Sequence, residues 1–202
     1  MMTSVWINLA VEDELSEAVL RRILLDSSRN FHVNTCYGKK GKDYLKKYIS
    51  AFYNASKGFP YIVFVDLDRW DCPPLLKLDW FKKPLHSNLL FRIAVHEVEA
   101  WLLADREGFS KYFKISQSLM PHKVEEIVDP KEKLIELVRK SKIRLLREAI
   151  VPPHESTRKQ GPDYNGALIG FVKDHWNIKR AIHNSVSLKG TVSAVMQFRP
   201  FQ

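Results

Sequence analysis

The first hundred residues alternate between apolar runs of strand length and stripes of helical period. Residues 5–11 (VWINLAV) form a short apolar run. In the segment after it, Leu15, Val19 and Ile23 recur every four residues with Leu20 and Leu24 beside them, the stripe of an amphipathic helix. Asp13 and Glu14 stand where a helix N-terminus favours negative charge. Residues 31–37 (FHVNTCY) alternate as a strand does, and Gly38-Lys39-Lys40-Gly41 is a turn. Residues 43–56 carry Leu45, Tyr48, Ile49 and Phe52 on one side of a second helix, which Gly58-Phe59-Pro60 breaks. The clearest strand follows at 61–65 (YIVFV), apolar on both faces and so suited to the middle of a covered parallel sheet. A fourth strand is predicted at 89–95 and a helix at about 97–105, whereas 71–87, with three prolines, reads as a long loop. Strands alternating with helices of this length predict βαβ units.

Beyond Asp105 the pattern is helical. Asp129-Pro130 is a helix start, a cap residue followed by proline at the first helical position. That helix runs to about Ile150 with a break near Ser141, and Pro152-Pro153 ends it. Residues 154–166 are a polar loop; Leu168, Phe171 and Val172 mark another helix, and Leu188, Val192 and Val195 a last one. The chain therefore reads as an α/β core over residues 1–105 and a helical part over 106–202, packed on or beside the core.

Composition changes this picture only by exclusion. With 202 residues, 45% hydrophobic and 27% charged, the chain can bury a core without staples and is neither disordered nor collagen-like. Two cysteines, Cys36 and Cys72, cannot build a disulfide framework or a four-cysteine zinc site, which fits a reduced, cytoplasmic setting. No apolar run approaches the roughly 20 residues that cross a bilayer, so no membrane is expected, and the N-terminus does not read as a signal peptide. The net charge is +9. Residues 1–100 hold 14 Lys/Arg against 12 Asp/Glu, and residues 101–202 hold 18 against 11, so the excess lies in the second half. That bias suits a polyanionic partner, nucleic acid (DNA or RNA) first; a protein partner or a second copy of the chain stays open.

The candidate chemistry lies in the acids. Glu12 directly follows the first predicted strand, Asp66 and Asp68 the third, and Glu97 and Glu99 the fourth. In an open parallel sheet the carboxyl ends of the strands line the functional crevice. An Asp-x-Asp pair on an extended segment points both side chains to one side. No lysine lies within these motifs to compensate the clustered charge, and a hard divalent cation, Mg²⁺ or Mn²⁺, would remove the cost of gathering it. Each acid also has an ordinary alternative as a helix-start, turn or surface residue. Gly38-Lys39-Lys40-Gly41-Lys42 lacks Walker spacing and reads as a surface turn, although Lys39 and Lys40 could meet a backbone phosphate. Lys140, Arg144 and Arg147, spaced four and three apart, place a basic face on one helix, and Arg158 and Lys159 lie in the polar loop. No zinc spacing and no Gly-x-Ser-x-Gly elbow is present.

Glu12 after the first strand and Val65-Asp66-Leu67-Asp68 after the third resemble the toprim family of topoisomerases, primases and overcoming-lysogenization-defect nucleases. His96-Glu97-Val98-Glu99-Ala100-Trp101-Leu102-Leu103-Ala104-Asp105 and Gly161-Pro162-Asp163-Tyr164-Asn165 resemble segments of a group of small bacterial toprim-like proteins. The resemblance implies a Rossmann-like core with a mainly parallel sheet in an order near 2-1-3-4. It implies Mg²⁺ held by Asp66 and Asp68, Glu12 as ligand or general acid/base, and Glu97 or Glu99 completing a second metal site. The family's glycine after the glutamate is Asp13 here, and the second acid of that motif falls at Glu17. Either Glu12 or Glu14 could be the reactive acid, with Glu12 favoured by its distance from Val19-Leu20. A nuclease is the implied activity, since 202 residues leave little room for topoisomerase apparatus. A non-catalytic nucleic-acid- or partner-binding protein with a degenerate site is the alternative.

Overall fold

The structure, a computed structural model, describes residues 4–154 and 156–201. The first three residues of the N-terminus and one residue of the polar loop expected at 154–166 lie outside the described residues. The elements in chain order are β1 (Val5–Val11), α1 (Glu14–Leu25), β2 (Phe31–Gly38), α2 (Lys42–Ala55), β3 (Tyr61–Asp66), α3 (Pro73–Trp80) and β4 (Leu89–Ala94). Then follow α4 (Val98–Ala104), α5 (Arg106–Phe113), α6 (Pro130–Arg139), α7 (Arg144–Ile150), α8 (Tyr164–Asp174), α9 (Ile178–Ala181) and α10 (Val186–Gln197). Short 3₁₀ turns lie at Gln117–Leu119 and Val124–Glu126.

The four strands form one sheet in the order β2-β1-β3-β4, every neighbouring pair parallel. This is the order that the toprim resemblance implies. β1 and β3 run through the middle, which is why both are apolar on both faces. Asn8 is the buried exception on β1, at 5% exposure. The β1–β2 register shifts between Ile7 and Leu9. There the Asn8 side-chain oxygen accepts from the Thr35 N–H and from the Asn34 side chain, each at 3.1 Å, which satisfies the irregular backbone.

Residues 71–87 differ from the expected loop, because α3 occupies Pro73–Trp80. The prolines stand at the first two helical positions, where the missing N–H costs nothing. The break near Ser141 is present between α6 and α7. There the Ser141 hydroxyl donates to the Phe113 carbonyl and accepts from the Ile143 N–H at 3.0 Å.

By contact the described residues fall into two compact units, one up to Val95 together with those from Ser187 onward, the other His96–Val186. This division differs from a boundary at Asp105. In the first unit α10 comes back to the sheet's edge strand: Arg92 Nε donates to Thr191 Oγ1 at 3.1 Å. Asn88 and the Phe201 backbone exchange two hydrogen bonds, at 2.7 and 3.1 Å. In the second unit every residue of α4 is buried. The helix is apolar nearly all round because α5, α6, α9 and the Val124–Glu126 turn surround it. Among the described residues no helix is long and apolar enough to cross a membrane.

Candidate functional site

In the first unit, Glu12 and Asp66 come from the carboxyl ends of adjacent strands. Glu12 Oε1 accepts the Asp66 backbone N–H at 2.8 Å, joining residues 54 apart in sequence. Glu14 is exposed as the first residue of α1, and Asp13 caps that helix by accepting the Ser16 N–H at 2.7 Å. Of the two candidate acids, Glu12 is therefore the one that reaches the Asp-x-Asp segment. Asp68 holds a left-handed backbone, φ +53, a region that Asp tolerates better than most residues.

Sequence reasoning missed a lysine. Lys42 Nζ donates to Asp68 Oδ2 at 2.7 Å, to the Asp66 carbonyl at 2.6 Å and to the Leu67 carbonyl at 3.3 Å. The acids are thus compensated by the first residue of α2, contrary to the expectation from the motifs alone. The turn before it delivers that lysine. Lys39 N–H donates to the Val11 carbonyl at 2.9 Å and Gly41 N–H to the Glu12 carbonyl at 3.0 Å. Gly38 has φ +96, and a Cβ there would collide with the Val11 carbonyl oxygen, so only glycine fits. Lys39 pairs with Glu17 at 2.8 Å, and Lys40 lies over the Tyr44 ring.

Burial pushes the Glu12 carboxyl up to about 7; the Asp68 and Asp13 charges add to this, while the Asp66 N–H and Lys42 oppose it. The folded chain therefore holds the Glu12 proton more tightly than the unfolded chain does. Stability falls as pH rises from about 4.5 to about 7 and then stays at its lower level. Glu12→Gln keeps an acceptor for the Asp66 N–H and removes the charge. We expect this variant to exceed wild type by about 2 kcal/mol at pH 8, with the gap nearly closed at pH 4. Urea denaturation across that range checks it; a variant no more stable at pH 8 than at pH 4, relative to wild type, contradicts it.

Glu97 and Glu99 belong to the second unit and have partners there. Glu97 Oε2 accepts the Lys131 backbone N–H at 2.8 Å in the first turn of α6. Burial first, then the Glu99 charge, push its carboxyl up to about 7. Glu99 is 2% exposed. Its Oε1 accepts the Tyr164 hydroxyl at 2.9 Å and lies 3.5 Å from Lys131 Nζ. Tyr164 opens α8 directly after Gly161-Pro162-Asp163. That segment is tied to the end of α7 by Gly161 N–H to the Ile150 carbonyl and Asp163 N–H to the Ala149 carbonyl. The two family-like segments therefore meet in one buried hydrogen bond.

The basic residues are mostly engaged locally. Arg144 pairs with Glu148 at 2.7 Å, Lys140 with Glu136 at 3.4 Å, and Arg147 donates to the Ser141 carbonyl at 2.6 Å. Arg158 and Lys159 are exposed and have no ion-pair partner among the described residues.

The donor set of Glu12, Asp66 and Asp68 fits a hard cation, since all its side-chain donors are carboxylate oxygens. As placed, no group of three or more His, Cys, Asp or Glu among the described residues is gathered to hold an ion, and Lys42 takes the Asp68 carboxylate.

No family model and no curated protein matches the chain. Among solved structures, the C-terminal region of the Burkholderia pseudomallei OLD protein is similar, at 16% identity over 92% of this chain and 98% of that one, with a TM-score of 0.43. A likeness that loose places no residue and assigns no activity.

Proposed function

We propose that the chain is a divalent-cation-dependent phosphodiesterase acting on nucleic acid. The observation that carries this reading is the Glu12–Asp66 hydrogen bond, which ties the Glu12 carboxylate to the backbone of the Asp-x-Asp segment at the ends of neighbouring parallel strands. Asp66 and Asp68 would hold Mg²⁺ or Mn²⁺, with Glu12 alongside. When bound, such an ion neutralises charge on the phosphoryl oxygens and acidifies a water. Glu12, anchored through Oε1, takes the proton of the attacking water at Oε2 as the water oxygen bonds to phosphorus. The bond from phosphorus to the leaving sugar oxygen breaks, and that oxygen takes a proton from solvent. Lys42 Nζ exchanges its Asp68 contact for a non-bridging phosphate oxygen and so binds and orients the strand.

Cleavage of labelled single- and double-stranded DNA and RNA in Mg²⁺, in Mn²⁺ and in EDTA tests this, with Mn²⁺ calorimetry alongside. Cleavage in Mn²⁺ that EDTA stops is expected. Nucleic acid bound but left intact under every condition would favour the non-catalytic alternative, to which the Lys42–Asp68 contact lends weight.

A further inference from the structure

We infer that the far end of α2 from Lys42 carries a second, non-catalytic contact for single-stranded nucleic acid. A cleft of about 350 Å³ lies in the first unit between the C-terminal half of α2 and the end of α3. Its apolar wall is Trp80 and Phe81, 6% and 9% exposed, both packed on the Phe91 ring. Tyr53 is half-buried at the edge, its hydroxyl donating to the Pro84 carbonyl at 3.2 Å, which fixes the ring. Lys57, Lys82 and Lys83 line the same cleft, and no carboxylate does.

Charge identifies the occupant as an anion. Among the described residues none of these three lysines has an ion-pair partner. Lys57 lies over the Tyr53 ring at 5.6 Å, and Lys82 reaches only the Leu78 carbonyl, at 3.4 Å. The nearby acid, Asp79, is taken by Lys46 at 2.7 Å and is not part of the lining. A held aromatic edge beside uncompensated lysines is the combination that binds a single strand, the bases meeting the ring and the phosphates the ammonium groups.

Position supports the same ligand. Tyr53 follows Lys42 by eleven residues on one helix, about 16 Å at about 1.5 Å per residue. A single strand of a few nucleotides, held in the cleft, spans that distance. The cleft thus makes a single strand of several nucleotides the substrate class. The inference rests on the preceding reading only for nucleic acid as ligand, and it needs no cleavage.

The test is fluorescence anisotropy in EDTA, with labelled ten-nucleotide oligothymidylate and oligouridylate titrated with the full chain over a range of salt. The Lys57→Glu/Lys82→Glu/Lys83→Glu variant should bind at least about tenfold more weakly and lose about 2 from the log–log salt slope, at about 0.7 per phosphate on single strands. Tyr53→Leu should weaken binding with the slope unchanged. Circular dichroism confirms that the variants fold, which the exposure of the three lysines favours. Wild type that binds neither oligonucleotide, a triple variant that binds as wild type does, or polyglutamate competing as well as the oligonucleotide overturns the inference. Binding lost in the triple variant, with no cleavage by wild type in Mn²⁺, would sink the phosphodiesterase reading and leave the cleft standing.

Discussion

Glu12→Gln and Asp66→Asn should each lower Mn²⁺-dependent cleavage by about 10²- to 10⁴-fold, the range for a positioned proton acceptor or a ligand. Both substitutions are nearly isosteric, and the amide oxygen that replaces the Glu12 carboxylate can still accept the Asp66 N–H. The fold should survive, so a loss of rate without loss of structure is the informative result. Lys42→Gln separates two roles for the lysine. If Lys42 binds the strand, KM rises more than kcat falls. Cleavage at wild-type rates in both carboxylate variants would place the chemistry elsewhere.

Asp105→Ala should cost about 3–5 kcal/mol, the penalty for breaking a buried ion pair by removing one partner. Asp105 is fully buried. Its carboxylate accepts from Gly108 N–H at 3.1 Å, Asn177 N–H at 2.8 Å, and Arg180 Nε and Nη2 at 2.7 and 3.0 Å. It caps α5 and clasps the start of α9 at once. Gly108 has to lack a side chain for this, since a Cβ would collide with Asp105 Oδ2. The readout is urea denaturation followed by tryptophan fluorescence, because Trp101 and Trp176 are both buried in this unit. Asp105→Asn, which keeps acceptors but loses the charge, should cost less. Asp105→Ala within about 1 kcal/mol of wild type, the usual range for a single exchange, would show that the clasp is dispensable.

These two acids show what the sequence reveals and what it hides. β1 and β3 are legible because central parallel strands must be apolar on both faces, and the acids ending them follow directly. The neighbourhood of β1 and β3 came from resemblance, because periodicity does not give strand order. Lys42 was hidden although it stood in plain view beside a turn. Its partner lies 26 residues away, and only the crossover from β2 to β3 brings the two together. The Glu99–Tyr164 bond spans 65 residues and was hidden for the same reason. α3 is hard to see in the sequence because prolines usually interrupt helices, yet at the first two positions they start one. Nothing local to Asp105 in the sequence signals that four donors converge on it.

The return of α10 to the edge strand has a consequence for how the chain is made. During synthesis from the N-terminus, β1 through β4 leave the ribosome first, yet Arg92 and Asn88 on that edge wait for Thr191 and Phe201, about a hundred residues later. All of His96–Val186 is synthesised in between, so the second unit has its whole sequence before the first one does. The unit that carries Glu12 and Asp66 is begun first and finished last. Until then its edge strand stands without the contacts that Thr191 and Phe201 supply.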